Sequence, residues 1–63
     1  MLTGRQLYLL RKNETKITDD ELSKILDISV NDIFLYEYGK KLIPQNMYQK
    51  WENTLKAKRN IVN

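Results

Sequence analysis

The segment between Thr18 and Gly39 constrains the fold more than any other part of the sequence. It contains two short runs in which apolar residues recur at helical spacing, and only Asp27–Ser29 separates them. Three residues leave room for a tight turn and nothing more. The first run predicts a helix over 19–26, and the second predicts a helix over 30 to about 38 that ends at Gly39. Two short helices joined in this way form a helix-turn-helix unit.

Each helix start is marked by a hydroxyl residue that is followed three positions later by an amide or acidic side chain. The three pairs are Thr3 with Gln6, Thr18 with Glu21, and Ser29 with Asp32. In a capping box the hydroxyl accepts a hydrogen bond from an N–H group of the first turn, and the partner side chain reaches back to the cap. The first pair predicts a helix from residue 4 to about 12, followed by a polar loop over 13–16.

A fourth helix is predicted from residue 45 to about 58. Pro44 suits its start, and Met47, Trp51 and Leu55 recur every four residues to give one apolar stripe. We expect residues 59–63 to fray. Since no segment shows the alternation of a strand, we predict a single all-α domain over 1–63, a compact bundle of four to five helices. The residues expected on the inner faces of the second and third helices are Leu22, Ile25, Leu26, Ile28, Ile33 and Tyr36.

The composition excludes several classes of protein and site. The 63 residues allow one small core, since domains of this size bury only about 60% of their unfolded surface. Cysteine and histidine are both absent, which excludes disulfides, thiolate metal sites and the commonest general base. No apolar run approaches the ~20 residues of a membrane span, and there is no signal-peptide pattern. We therefore expect a cytoplasmic protein that is not an enzyme and has no metal, cofactor or membrane partner.

Charge is segregated along the chain. Residues 1–18 carry four basic side chains and one acidic side chain, residues 19–37 carry one basic and six acidic side chains, and residues 40–63 carry six basic side chains and one acidic side chain. With a net charge of +3 and a pI near 9.3, the two flanks favour a polyanionic partner. The acidic middle opposes one.

Three stretches of sequence, LYLLR, ITDDELSKILDISVNDIFLYEYGKK and IP, follow one another between Thr3 and Pro44. Their spacing Leu22…Leu26-x-Ile28-Ser29…Ile33…Tyr36-Glu37-x-Gly39-Lys40 resembles that of the phage repressor/Cro-like (XRE) helix-turn-helix domains. The resemblance implies a lambda-repressor-like DNA-binding domain. It also implies a small transcriptional regulator of the phage or mobile-element type, such as a repressor that occupies its operator. Proteins of this class usually bind palindromic double-stranded DNA as dimers.

The resemblance also implies roles for individual side chains. Arg11 is expected to pair with Glu37 and to tie the first helix to the third. The positions expected to face bases are Val30, Asn31 and Leu35, with Phe34 and Tyr38 nearer the groove walls. The positions expected to contact phosphates are Ser29, Lys40 and Lys41. By side-chain chemistry, Asn31 can pair with adenine, and Val30 or Leu35 can pack on thymine methyl groups.

Three features depart from the family pattern. Asp27 stands where the turn usually has glycine, and the loop between the first two helices is one residue longer and lacks its glycine. The second helix begins with Asp19, Asp20 and Glu21, where a phosphate-binding glutamine is common. These acids favour the positive end of the helix dipole, but they would repel a phosphate backbone.

The third helix is apolar on its outward face as well as on its inner face. With Ile33, Tyr36 and Glu37 towards the core, the outward residues are Asn31, Phe34, Leu35 and Tyr38. DNA, another protein or a second copy of the chain can cover this face. The fourth helix can also cover it, through Trp51 or Met47 against Phe34. With a protein partner, the module would inhibit or recruit that partner through aromatic anchors.

Overall fold

The computed structural model describes residues 2–59 and contains four α-helices. These are α1 (Gly4–Leu10), α2 (Asp19–Leu26), α3 (Val30–Glu37) and α4 (Gln45–Arg59), and a π-helical turn (Arg11–Thr15) extends α1. No strand occurs in the described range. The prediction of an all-α bundle is therefore confirmed. α4 includes Arg59, one residue beyond the predicted end, and residues 60–63 of the segment expected to fray lie outside the described residues.

The hydroxyl caps set the starts of the first three helices. Thr3 and Thr18 both form complete capping boxes with the side chains three positions later. Ser29 Oγ accepts from the backbone N–H of Asp32 at 3.0 Å. The Asp32 carboxylate contacts Lys41 and does not reach back to the cap. The predicted start residues of α1, α2 and α3 are confirmed. They could be predicted because capping hydrogen bonds depend on the local sequence alone.

The predicted polar loop over 13–16 is wrong, because the helix continues there in a wider form. The N–H of Lys16 donates to the carbonyl of Arg11 at 2.8 Å, which is the i→i+5 bond of a π-helix. Thr15 Oγ1 donates to the same carbonyl at 2.9 Å. A π-turn holds more residues than an α-turn, so the segment Arg11–Thr15 continues the helix in place of an open loop. Lys16 ends the turn in the left-handed conformation at φ 60°, without a glycine.

A core of large apolar side chains lies between the helices. It comprises Leu7, Ile17, Leu22, Leu26, Ile33, Tyr36, Tyr48, Trp51 and Leu55. Trp51 is fully buried and meets the edge of the Tyr36 ring, with a centroid separation of 6.2 Å. Met47, which was predicted to lie on the apolar stripe of α4, is only partly buried, and Tyr48 is buried more deeply. Its hydroxyl accepts from the N–H of Leu2 at 2.8 Å and donates to Glu52 at 3.1 Å, so it joins α4 to the start of the chain.

α1 and α3 approach each other closely at Gly4. A Cβ atom at this position would clash with the backbone carbonyl of Tyr36. The absence of a side chain at Gly4 therefore sets the distance between the two helices.

The predicted tie between Arg11 and Glu37 is present and buried. Nε and Nη2 of Arg11 donate to the two carboxylate oxygens of Glu37 at 2.9 and 3.0 Å, and Nη1 donates to the carbonyl of Ile17 at 2.9 Å. Burial disfavours the charged guanidinium, but the hydrogen bonds and charge of Glu37 outweigh it and raise the pKa of Arg11. The pair fixes α3 against the π-helical turn.

None of the helices within residues 2–59 combines the length and the apolar character that a membrane span requires.

Candidate nucleic-acid interface

The outward face of α3 is uncovered along its length. Phe34 is 51% exposed and Tyr38 62% exposed, while Val30 and Asn31 are exposed and Leu35 is half-buried. Because Phe34 and Tyr38 are four residues apart, their rings meet, with centroids 4.3 Å apart at 57°. The two rings therefore form one aromatic surface at the C-terminal half of α3.

Of the four alternatives for covering the outward face of α3, burial of Phe34 by α4 is wrong. Trp51 is packed on Tyr36, which lies on the buried side of α3, and half of the Phe34 surface stays open. α4 packs against the π-helical turn and α2, so its apolar stripe is directed away from the outward face of α3.

Lys41 holds the carboxylate of Asp32, the acidic residue in the first turn of α3. Lys41 Nζ lies 3.3 Å from Asp32 Oδ1, and it also lies 5.3 Å from the centroid of the Tyr36 ring. The negative charge on α3 is thus paired within the molecule. The same contact engages Lys41, so Lys41 is less free for a phosphate than the sequence predicted.

A Schellman motif at the end of α3 positions Lys40. The N–H of Lys40 donates to the carbonyl of Leu35 at 2.8 Å, and the N–H of Gly39 donates to the carbonyl of Tyr36 at 3.1 Å. Gly39 takes the left-handed conformation at φ 77°. Lys40 is exposed and follows Tyr38, a member of the aromatic surface, by two residues. Ser29 lies exposed at the other end of α3, with its oxygen used as the cap.

The turn between α2 and α3 keeps the predicted three residues and accepts aspartate where glycine is common. Asp27 has φ 57°, and the N–H of Ile28 donates to the carbonyl of Ser23 at 3.0 Å. Aspartate is one of the side chains that tolerate this conformation. Ser23 is buried, and its hydroxyl donates to the carbonyl of Asp20 at 2.8 Å. The buried side of α2 therefore carries a small side chain whose hydroxyl has a hydrogen-bond partner.

A basic strip formed by Arg5, Lys12 and Lys16 was missed by the sequence reasoning. Tyr8 connects its members, since it lines one surface depression with Lys12 and Lys16 and a smaller one with Arg5 and Tyr38. The Arg5 guanidinium lies 5.7 Å from the centroid of the Tyr8 ring. The basic strip therefore continues into the outward face of α3. The excess of positive charge in residues 1–18 was the signal that could have revealed it.

The acids at the start of α2 are partly engaged within the helix. Glu21 accepts from the N–H and the hydroxyl of Thr18, each at 3.2 Å, and Asp20 lies 3.5 Å from Lys24 Nζ. Asp19 lines the same depression as Lys12 and Lys16, and its charge is one of those that raise the pKa of Arg11. These contacts weaken the repulsion that three free carboxylates would exert on a polyanion.

When the chain is compared with protein-family models, with curated proteins and with solved structures, none of the three comparisons gives a match.

Proposed function

We propose that the protein is a small DNA-binding regulator whose third helix enters the major groove. The observation that carries this proposal is the uncovered face of α3, which has the basic strip on one side and Lys40 and Lys41 at its C-terminal end. An exposed helix face with cations at its side and at its end suits a groove whose two walls are rows of phosphates. The resemblance to phage repressor/Cro-like domains supports the same proposal.

The contacts divide by chemistry. Lys40 and the Ser29 hydroxyl, together with the basic strip, contact phosphates and set the register of the protein on the duplex, whereas Lys41 is paired with Asp32 and contributes less to the phosphate contacts. Val30, Asn31 and Leu35 face the bases, and Phe34 and Tyr38 pack near the groove walls. Asp32 is kept from repelling the backbone by its contact with Lys41.

The family resemblance adds an arrangement to this proposal. The regulator acts in the cytoplasm by occupying a palindromic operator as a dimer, with one α3 for each half-site. No catalytic step is involved.

Fluorescence anisotropy of a labelled duplex from the region upstream of the protein's own gene, measured over a series of salt concentrations, tests the proposal. We expect affinity to fall steeply with salt, and we expect Lys40→Ala and Lys12→Ala each to reduce the slope by about 1. Lys50→Ala is the matched control, since Lys50 is an exposed lysine of α4 that belongs neither to the basic strip nor to the Lys40–Lys41 pair at the end of α3. Absence of binding at low salt would overturn the proposal.

The exposed contact between Phe34 and Tyr38 favours a second candidate function, a module that binds another protein. Aromatic anchors surrounded by charge are typical of interface hot spots. In this case Phe34→Ala abolishes capture of the partner in a pull-down, while Lys40→Ala has no effect. Phe34 is half exposed, so circular dichroism should show that both variants keep the fold.

A further inference from the structure

We infer that α3 reads its DNA site mainly through the C5-methyl groups of thymine. This inference rests on the proposed DNA-binding function. It specifies the chemical group that the outward face of α3 recognises, which the fold alone does not specify. It follows from the side chains that the structure leaves exposed and from those that it engages internally.

Carbon dominates the outward face of α3. Val30 and Phe34 are exposed hydrocarbon, Leu35 is half-buried, and Tyr38 exposes most of a ring that carries one hydroxyl. The Phe34 and Tyr38 rings are in contact at 4.3 Å, so they present one continuous apolar surface.

Hydrogen-bonding groups on α3 are few, because the structure engages the polar residues beside the bases. The Asp32 carboxylate lies 3.3 Å from Lys41 Nζ, and the hydroxyl of Ser29, whose oxygen caps the helix, contacts a phosphate in the proposed complex and not a base. Among the outward residues of α3, all of which lie within the described range, Asn31 offers an amide and Tyr38 a hydroxyl. One amide reads about one base pair, so the remaining recognition depends on apolar contact.

The major groove offers one apolar group for such contact, the C5-methyl group of thymine. A G·C pair presents the O6 and N7 acceptors of guanine and the amino group of cytosine. Apolar side chains placed over those groups would remove their water without replacing the hydrogen bonds, which is unfavourable. Asn31 acts in the same direction, because its amide matches the N6 and N7 atoms of adenine. Both kinds of contact therefore select A·T pairs in which the methyl group faces α3.

Replacing thymine with uracil tests the inference, because the two bases differ only by this methyl group. The probe is the upstream duplex of the salt experiment, synthesised once with thymine and once with uracil on both strands. Each buried methyl group contributes about fourfold to Kd, so two or three contacts should raise Kd by about 15- to 60-fold. The salt dependence should stay unchanged, because the phosphate contacts are the same in both duplexes.

Two variants separate direct contact from an effect of the methyl group on DNA shape. Val30→Ala removes apolar surface from the base-facing side and should lower the ratio of the two Kd values. Lys40→Ala weakens binding to both duplexes and should leave the ratio unchanged. Val30 is exposed, and circular dichroism confirms that its variant is folded. Equal Kd values for the two duplexes, or a ratio that Val30→Ala does not lower, would overturn the inference and leave DNA binding intact. Failure to bind either duplex would instead overturn the proposed function.

Discussion

Replacing Glu37 with glutamine isolates the contribution of the buried ion pair that fixes α3 against the π-helical turn. The side chains of Arg11 and Glu37 are 8% and 7% exposed, so water cannot replace a lost contact. Glutamine keeps the shape but has one acceptor oxygen, and its amide group would face a guanidinium N–H. The variant therefore keeps a buried cation without a counter-charge.

The expected loss is large relative to the total stability. Removing one partner of a buried pair costs about 3 to 5 kcal/mol, whereas a chain of 63 residues has a free energy of unfolding of about 3 to 9 kcal/mol. For a domain of this size, a loss of about 3 kcal/mol lowers Tm by at least ~12 °C. We expect Glu37→Gln to be largely unfolded near the Tm of the unmodified protein. The measurement is a thermal and urea melt followed by circular dichroism and by the fluorescence of Trp51.

A double substitution and a surface control make the test specific. Arg11→Met combined with Glu37→Leu removes both charges, so it should be more stable than Glu37→Gln. It leaves the carbonyl of Ile17 without its guanidinium donor, which costs about 1 kcal/mol. Lys24→Gln removes a mostly exposed pair with Asp20 and should change stability by less than about 1 kcal/mol. If Glu37→Gln loses no more stability than Lys24→Gln, the reasoning about the buried pair is refuted.

The two glycines and the left-handed lysine give further predictions for urea melts. Gly4→Ala should cost about 1 to 3 kcal/mol, because its Cβ would clash with the carbonyl of Tyr36. Gly39→Ala should cost about 1 to 2 kcal/mol through its φ of 77° alone, since no atom lies near its Cβ position. A loss at Gly4 of less than about 1 kcal/mol would contradict the close approach of α1 and α3. Lys16→Gly should stabilise the protein by up to about 1 kcal/mol, because it relieves φ 60°, and should lower the salt slope of DNA binding by about 1. An unchanged slope would show that Lys16 does not contact a phosphate.

The helix boundaries that depend on local hydrogen bonds could be predicted from the sequence. Thr18 and Ser29 each determine a helix start through a bond to a residue three positions later, and Gly39 determines the end of α3 through its own conformation. These interactions need no tertiary contact, so the sequence pattern contains the necessary information. The pairing of Arg11 with Glu37 followed from the family resemblance instead.

The π-helical turn depends on tertiary contacts and could not be predicted. Residues 12–16 are polar and have no apolar periodicity, so nothing local distinguishes a loop from a wider helical turn. Arg11 is held at one end by Glu37 and by the carbonyl of Ile17, and Ile17 is itself buried. These contacts fix both ends of the segment. The basic strip was missed for a related reason, since Tyr8 brings it beside Tyr38 only after α1 has packed on α3.

The outward face of α3 is the part of the molecule that folding explains least. Phe34 and Tyr38 remain mostly open to solvent, so polar side chains at these positions would serve the bundle as well. Arg5 and Tyr8 of α1 border one side of Tyr38, but half or more of the Phe34 and Tyr38 side chains stays exposed, and α4 uses Trp51 on Tyr36. An exposed apolar surface of this kind therefore indicates a contact with another molecule. A loss of affinity when uracil replaces thymine would identify DNA as that molecule, because neither a protein partner nor a second copy of the chain would respond to a methyl group on a base.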